Sequence, residues 1–114
     1  MNEKIYDLSM LQEMEEAEPG FVKRMIGLFL DSIPPLLADM TNAYIARDLP
    51  SLALKAHKIK SSLDIFGMTT LANNARRIEK LSKEKTDDSE LGALMNTLTL
   101  TLPQVCDDLN NEPF

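Results

Sequence analysis

The chain is poor in aromatic residues. Tryptophan is absent, and four Phe with two Tyr make up 5% of 114 residues. Strands favour aromatic and β-branched side chains, whereas abundant leucine and the seven methionines favour helix. Cysteine occurs once, at Cys106, so no internal disulfide can form, which fits a reducing compartment. Histidine also occurs once, at His57. One histidine and one distant cysteine cannot supply a zinc site. The Glu-x-x-His pattern of di-iron bundles is missing, because Leu54 occupies the third position before His57. With four glycines there is no glycine-rich phosphate loop, which argues against ATP binding by the chain itself. No Gly-x-Ser-x-Gly elbow is present either. The early chain has no long apolar run. Glu3, Asp7 and Glu13 precede any hydrophobic region, so neither a signal peptide nor a membrane span is read, and a cytoplasmic location is expected. Basic charge is scarce overall: the net charge is −6 and the pI about 4.7, which argues against nucleic-acid binding.

What is present is helical periodicity in an ordinary globular composition, 44% apolar and 26% charged. The length suits one domain. Asp7 or Ser9 can cap a short first helix, Ser9 with Gln12 fitting a capping box. Pro19 suits the first turn of the next helix. Its wide apolar face runs from Phe21 to Ile33 and implies neighbours on more than one side. Pro34-Pro35 predicts a break or kink, with the pattern resuming at Leu36. Asp48 is the expected cap of a third helix, with Pro50 in its first turn and Gly67 as its C-terminal stop. Thr69 or Thr70 opens a fourth. Asp87 and Asp88 are expected caps of a last helix, in which Pro103 predicts a kink. The alternation over 97–102 could pass for a strand, but the longer helical period outweighs it. The tail from Asn110 is expected to fray. The fold class is therefore all-α: an antiparallel up-down four-helix bundle with one or two additional short N-terminal helices, spanning 1–114 as a single domain.

The third helix carries the histidine. Leu52, Ala56, Ile59, Leu63 and Phe66 form one buried stripe, with spacings of 4, 3, 4 and 3. His57 lies about 140° from its centre, facing water, with Lys60, Ser61 and Asp64 following on its side. Residues 55–85 hold eight of the twelve Lys/Arg and three of the eighteen Asp/Glu, a local +5 against −11 elsewhere. That balance suits a small anion better than a polyanion. A hydrolase reading of His57 with Ser61 lacks a pocket and an oxyanion hole. An exposed imidazole is in general largely neutral at cellular pH and can attack phosphorus, and a lysine one turn away can neutralise phosphoryl oxygens. Composition and periodicity alone leave a helical bundle with a solvated histidine.

The run Ala56-His57-Lys58-Ile59-Lys60-Ser61-Ser62, with Gly67 ten residues after the histidine, resembles the motif of histidine-containing phosphotransfer (HPt) domains. Leu71, the Ile78-Glu79 pair, the helix from Phe21 to Asp31, and Asp48 agree with it, and the resemblance covers roughly 7–110. It implies a phosphocarrier of a multistep two-component phosphorelay and not an enzyme with its own ATP site. His57 would be the phosphoacceptor, forming a transient phosphohistidine. Lys60 would neutralise phosphoryl charge, and Gly67 would end the active helix. The implied partners are receiver domains of response regulators and of a hybrid sensor histidine kinase, with Mg²⁺ in the receiver and no cofactor of the chain's own. No nucleic acid, no membrane insertion and a monomeric state are expected. Leu8 and Leu11 of the first helix are the expected docking patch. Ser61, where the motif usually has glycine, and Asp64, where small residues are common, depart from the pattern and would tune transfer. Those departures also motivate an alternative: an HPt-like binding module that regulates a receiver or kinase without being phosphorylated. Met1 and a completed bundle make a free-standing chain the expectation.

Overall fold

The computed structural model describes residues 5–85 and 89–113. Five helices account for the described architecture: α1 (Ser9–Glu15), α2 (Phe21–Ile45), α3 (Leu49–Ile65), α4 (Thr69–Lys83) and α5 (Ser89–Asn110). The connections α2–α3 and α3–α4 are three residues each, so successive helices fold back antiparallel. Around the bundle α2 packs on α3 and α5, and α4 packs on α3 and α5. Against α2 lies α1, the one additional N-terminal helix among the described residues. The expected all-α bundle is the observed fold. No strand occurs among the described residues, and 97–102 is helical. No described helix is long and apolar enough to cross a membrane.

The turns show why the helices end where they do. α2 closes in a Schellman motif. The Arg47 N–H donates to Tyr44 O at 3.1 Å and the Asp48 N–H to Ala43 O at 2.9 Å. Arg47 adopts the left-handed conformation without being glycine, at φ 58°. Asp48 then caps α3 as expected, accepting from the Ser51 N–H at 3.3 Å, with Pro50 in the first turn. α3 closes in the same motif. The Gly67 N–H donates to Asp64 O at 3.0 Å and the Met68 N–H to Leu63 O at 2.9 Å. Gly67 takes the left-handed conformation there, at φ 68°.

Several expectations are corrected. α2 runs unbroken through Pro34 and Pro35. Both prolines are solvent-exposed, while Ile33 and Met40 on the inner side are buried. α5 contains Pro103 within its span, where the sequence reading placed it. Pro19 is not in the first turn of α2. That helix starts after Gly20, and its first amides are capped by Glu15, whose carboxylate accepts from Gly20 N–H at 2.7 Å and Val22 N–H at 3.0 Å. The Ser9 capping box does not form. Asp7 instead accepts from both the Ser9 amide and hydroxyl. The described part of the C-terminal tail is tethered at Glu112, which accepts from the Tyr6 hydroxyl. The expected caps Asp87 and Asp88 lie outside the described residues.

Residues 5–8 form a strap that leads into α1 and crosses the end of α3. The Asp7 N–H donates to Phe66 O at 2.9 Å, fixing the strap against the C-terminal end of α3. Phe66 in turn packs its ring against Phe29 of α2, with centroids 4.5 Å apart.

Candidate functional site

His57 sits in the middle of α3, between Ala56 and Ile59, both fully buried. These neighbours fix the phase of the helix and hold the imidazole outward, its side chain 61% exposed. α4 runs antiparallel beside it and brings Glu79 to the ring. The Glu79 side chain is only 12% exposed, and its Oε2 lies 3.1 Å from His57 Nδ1. The Lys60 Nζ approaches the same ring nitrogen at 3.3 Å and Glu79 Oε1 at 3.4 Å. Lys83, one turn along α4, completes the group with its Nζ 2.8 Å from Glu79 Oε2.

Glu79 is thus a largely buried carboxylate ringed by donors. The Lys83 hydrogen bond, with that of Lys60, holds its pKa below the ordinary carboxylate value, although burial pulls the other way. An ionised carboxylate only accepts hydrogen bonds. For Glu79 to bond the ring, Nδ1 must carry the proton, and the remaining lone pair is then on Nε2, which faces away from this cluster. A large apolar cleft of about 620 Å³ opens between α2 and α5. It is lined by residues such as Ile33, Leu37, Leu102 and Cys106 and does not include His57. The histidine stands outside this cleft, on α3, with its side chain 61% exposed.

The structure brings His57 and Lys60 together and leaves Ser61 apart. Ser61 is exposed, while the ring nitrogen Nδ1 lies within hydrogen-bonding distance of Glu79 and Lys60. Asp64 does not engage Lys60. It pairs with Arg76 of α4 at 2.5 Å, and Arg76 also donates to Asn73. Gly67 stands at the end of α3 as expected and has a second task. A Cβ there would come within 2.6 Å of the Asp7 Cβ and carbonyl oxygen, so the glycine lets the N-terminal strap cross the helix end.

Leu8 and Leu11 are not a docking patch. They are buried, 8% and 3% exposed, and belong to the hydrophobic core. Leu11 is the buried residue of the seven-residue α1, and Leu8 just before that helix is buried with it. Exposed apolar side chains in this part of the chain include Ile5 before α1, Met10 and Met14 on α1, and Leu54 and Ile65 on α3. Met10 and Ile65 line one shallow hollow with Asp7, Glu13 and Asp64.

A profile of the Hpt domain matches residues 24–112. The chain belongs to the Hpt domain family. No curated protein and no solved structure gives a significant match. Hpt domains are histidine phosphotransfer modules of phosphorelays, and they interact there with receiver domains. Two members of the His57 cluster have no assigned role in the sequence reading. Glu79 enters it only as part of a motif, and Lys83 only as an outer-face charge. Their spacing of four on α4 puts Lys83 one turn beyond Glu79, which pairs the two with each other and not with α3. Nothing within either helix pattern tells which charge of α4 faces His57.

Proposed function

We propose that the chain is a histidine phosphocarrier that accepts a phosphoryl group on His57 Nε2 from a receiver-domain aspartate and passes it to another receiver. The observation that carries this reading is the ring's asymmetry. Nδ1 is engaged by Glu79 and Lys60, while Nε2 belongs to a half-exposed imidazole on a rigid helix. In the forward step the Nε2–P bond forms, the P–O bond of the aspartyl phosphate breaks, and the aspartate carboxylate leaves. The receiver supplies Mg²⁺ and the acceptor or donor aspartate. Lys60 neutralises phosphoryl charge after swinging from its resting place on Glu79. Phosphoryl transfer needs mainly positioning and charge neutralisation, so a carrier can contribute this little provided its partner brings the rest.

The docking surface runs from His57 along α3 to Ile65 and onto Met10 and Met14 of α1, with Asp7, Glu13 and Asp64 at its edge. Ser61 lies on that surface and tunes how closely a receiver approaches. The charge of Asp64 is largely offset by Arg76, so it acts on a partner more than on the phosphoryl group. Gly67 fixes the strap that carries α1. The carrier works as a cytoplasmic monomer. The test is phosphotransfer from a phosphorylated receiver domain to the wild-type chain and to His57→Gln. Label on wild type that is acid-labile, alkali-stable and lost in His57→Gln is the expected result. Equal labelling of the variant would sink the proposal. Unchanged receiver binding in the variant, with no transfer to wild type, would favour the non-phosphorylated binding module suggested by Ser61 and Asp64.

A further inference from the structure

His57 Nδ1 has two neighbours that make opposite demands on it. Glu79 Oε2 lies 3.1 Å away. It can only accept, so its bond requires a proton on Nδ1. Lys60 Nζ lies 3.3 Å away. It can only donate, so its bond requires the Nδ1 lone pair. One ring position cannot serve both. We propose that Glu79 and Lys60 are a pair of positioning residues that exchange at Nδ1 as the phosphoryl group comes and goes, and that their balance sets how long the phosphohistidine survives. The inference rests on the phosphocarrier reading above.

The chemistry follows the proton. Before transfer the ring is neutral with its proton on Nδ1, donated to Glu79. When the Nε2–P bond forms, the ring becomes an imidazolium that still carries this proton. The phosphorylated ring then loses the Nδ1 proton to water and becomes neutral. The exposed lone pair accepts from Lys60, and Glu79 is left to Lys83, whose ammonium already lies 2.8 Å from Oε2. For onward transfer or hydrolysis Nδ1 regains a proton from solvent, which makes the imidazole a good leaving group as the N–P bond breaks. The Lys60 charge opposes that reprotonation and the Glu79 charge favours it.

The charged groups around the ring are Lys60 with the adjoining Lys58 on α3, and Glu79 with Lys83 on α4. Arg76 is occupied by Asp64. Among the described residues, α1 and α2 bring no group into hydrogen-bonding contact with the imidazole.

The experiment uses the full chain phosphorylated by phosphoramidate. There the Nε2–P bond forms as the P–N bond of the reagent breaks and ammonia leaves, so no receiver is needed. Hydrolysis of the adduct is followed against pH in wild type, Lys60→Met and Glu79→Gln. Lys60→Met should shorten the adduct's life near neutral pH on the order of fivefold and move the onset of acid lability to higher pH. Glu79→Gln should lengthen it and move the onset down. A nitrogen-resolved NMR spectrum of the unphosphorylated wild-type ring, which needs no variant, should show the proton on Nδ1. Superimposable pH profiles in the two variants, or a wild-type ring protonated mainly on Nε2, would overturn the exchange. Transfer from receivers could still occur in that case, so the functional reading would stand. If His57 takes no phosphoryl group from phosphoramidate or any receiver, both fall.

Discussion

Replacing Gly67 by alanine separates backbone conformation from close packing, because Gly20 supplies a matched control. Both glycines are left-handed, at φ 68° and 87°. That conformation costs an L-residue roughly 1–2 kcal/mol, offset by about 0.4–1 kcal/mol because alanine narrows the unfolded ensemble. A Cβ at Gly20 meets nothing within 4 Å. Gly20→Ala should therefore cost only about 0.5–1 kcal/mol. At Gly67 the Cβ meets Asp7 Cβ and O at 2.6 Å and N at 2.9 Å, two of the three being rigid backbone. The strap must move, which threatens the Asp7 N–H to Phe66 O hydrogen bond. That bond is worth about 1 kcal/mol, and overpacking adds a cost of roughly 1–3 kcal/mol. Gly67→Ala should thus cost roughly 2.5–5 kcal/mol in total, a fall in Tm on the order of 10–20 °C for a domain of this size. Urea denaturation followed by far-ultraviolet circular dichroism measures both variants, provided the slope with denaturant stays constant. If Gly67→Ala costs no more than Gly20→Ala, the strap contact contributes nothing and the reasoning is wrong.

Two other perturbations test the charges around the site. Asp64→Asn removes one partner of an ion pair whose two side chains are both well exposed. Stability should therefore change by less than about 1 kcal/mol. Receiver binding, measured by titration calorimetry, should respond more than stability does. Acid should loosen the α3–α4 edge through Glu79. Its folded pKa lies below the ordinary 4.5, so its contribution is complete above that pH and is lost as the pH falls through the lower folded value. Glu79→Gln should therefore lose less stability than wild type between about pH 5 and pH 3, as followed by thermal denaturation across that range. An equal loss in both would remove Glu79 as a contributor.

The helices are legible in the sequence because each one carries its own periodicity. Leu52, Ala56, Ile59 and Leu63 alone fix the phase of α3 and place His57 outward. Asp48 and Gly67 are legible as boundaries because their chemistry is local. The prolines mislead for the opposite reason. Their effect depends on which side of the helix faces water, and in α2 the exposed side takes both, while buried Ile33 and Met40 hold the inner face. Leu8 and Leu11 read as a surface patch from sequence, although a short helix has little else with which to anchor itself. Glu15 capping α2 and Glu79 facing His57 are not readable, since both are contacts between elements. No single-helix pattern sets the relative register of α3 and α4, which alone decides that Glu79 meets the imidazole.

The same geometry explains why such a chain would carry a phosphoryl group without driving its transfer. Electrostatic stabilisation of a transition state is strong where water is excluded and the charges are preorganised for it. Here the imidazole is 61% exposed, and the two nearest ammonium groups rest on Glu79 instead of pointing at an incoming phosphate. The chain's own apolar cleft lies on the α2–α5 side and cannot enclose the histidine. What α3 and α4 do supply is direction: a ring whose Nδ1 lies against Glu79 and Lys60, leaving Nε2 on the opposite side. Water exclusion and metal charge must come from whatever closes over α3. On the phosphocarrier reading proposed above, selectivity among partners would reside in the α1–α3 surface and reactivity in the receiver. A substitution on Met10 or Ile65 should alter which receiver is used before it alters the intrinsic chemistry of His57, as read by transfer rates from a panel of phosphorylated receivers against labelling by phosphoramidate.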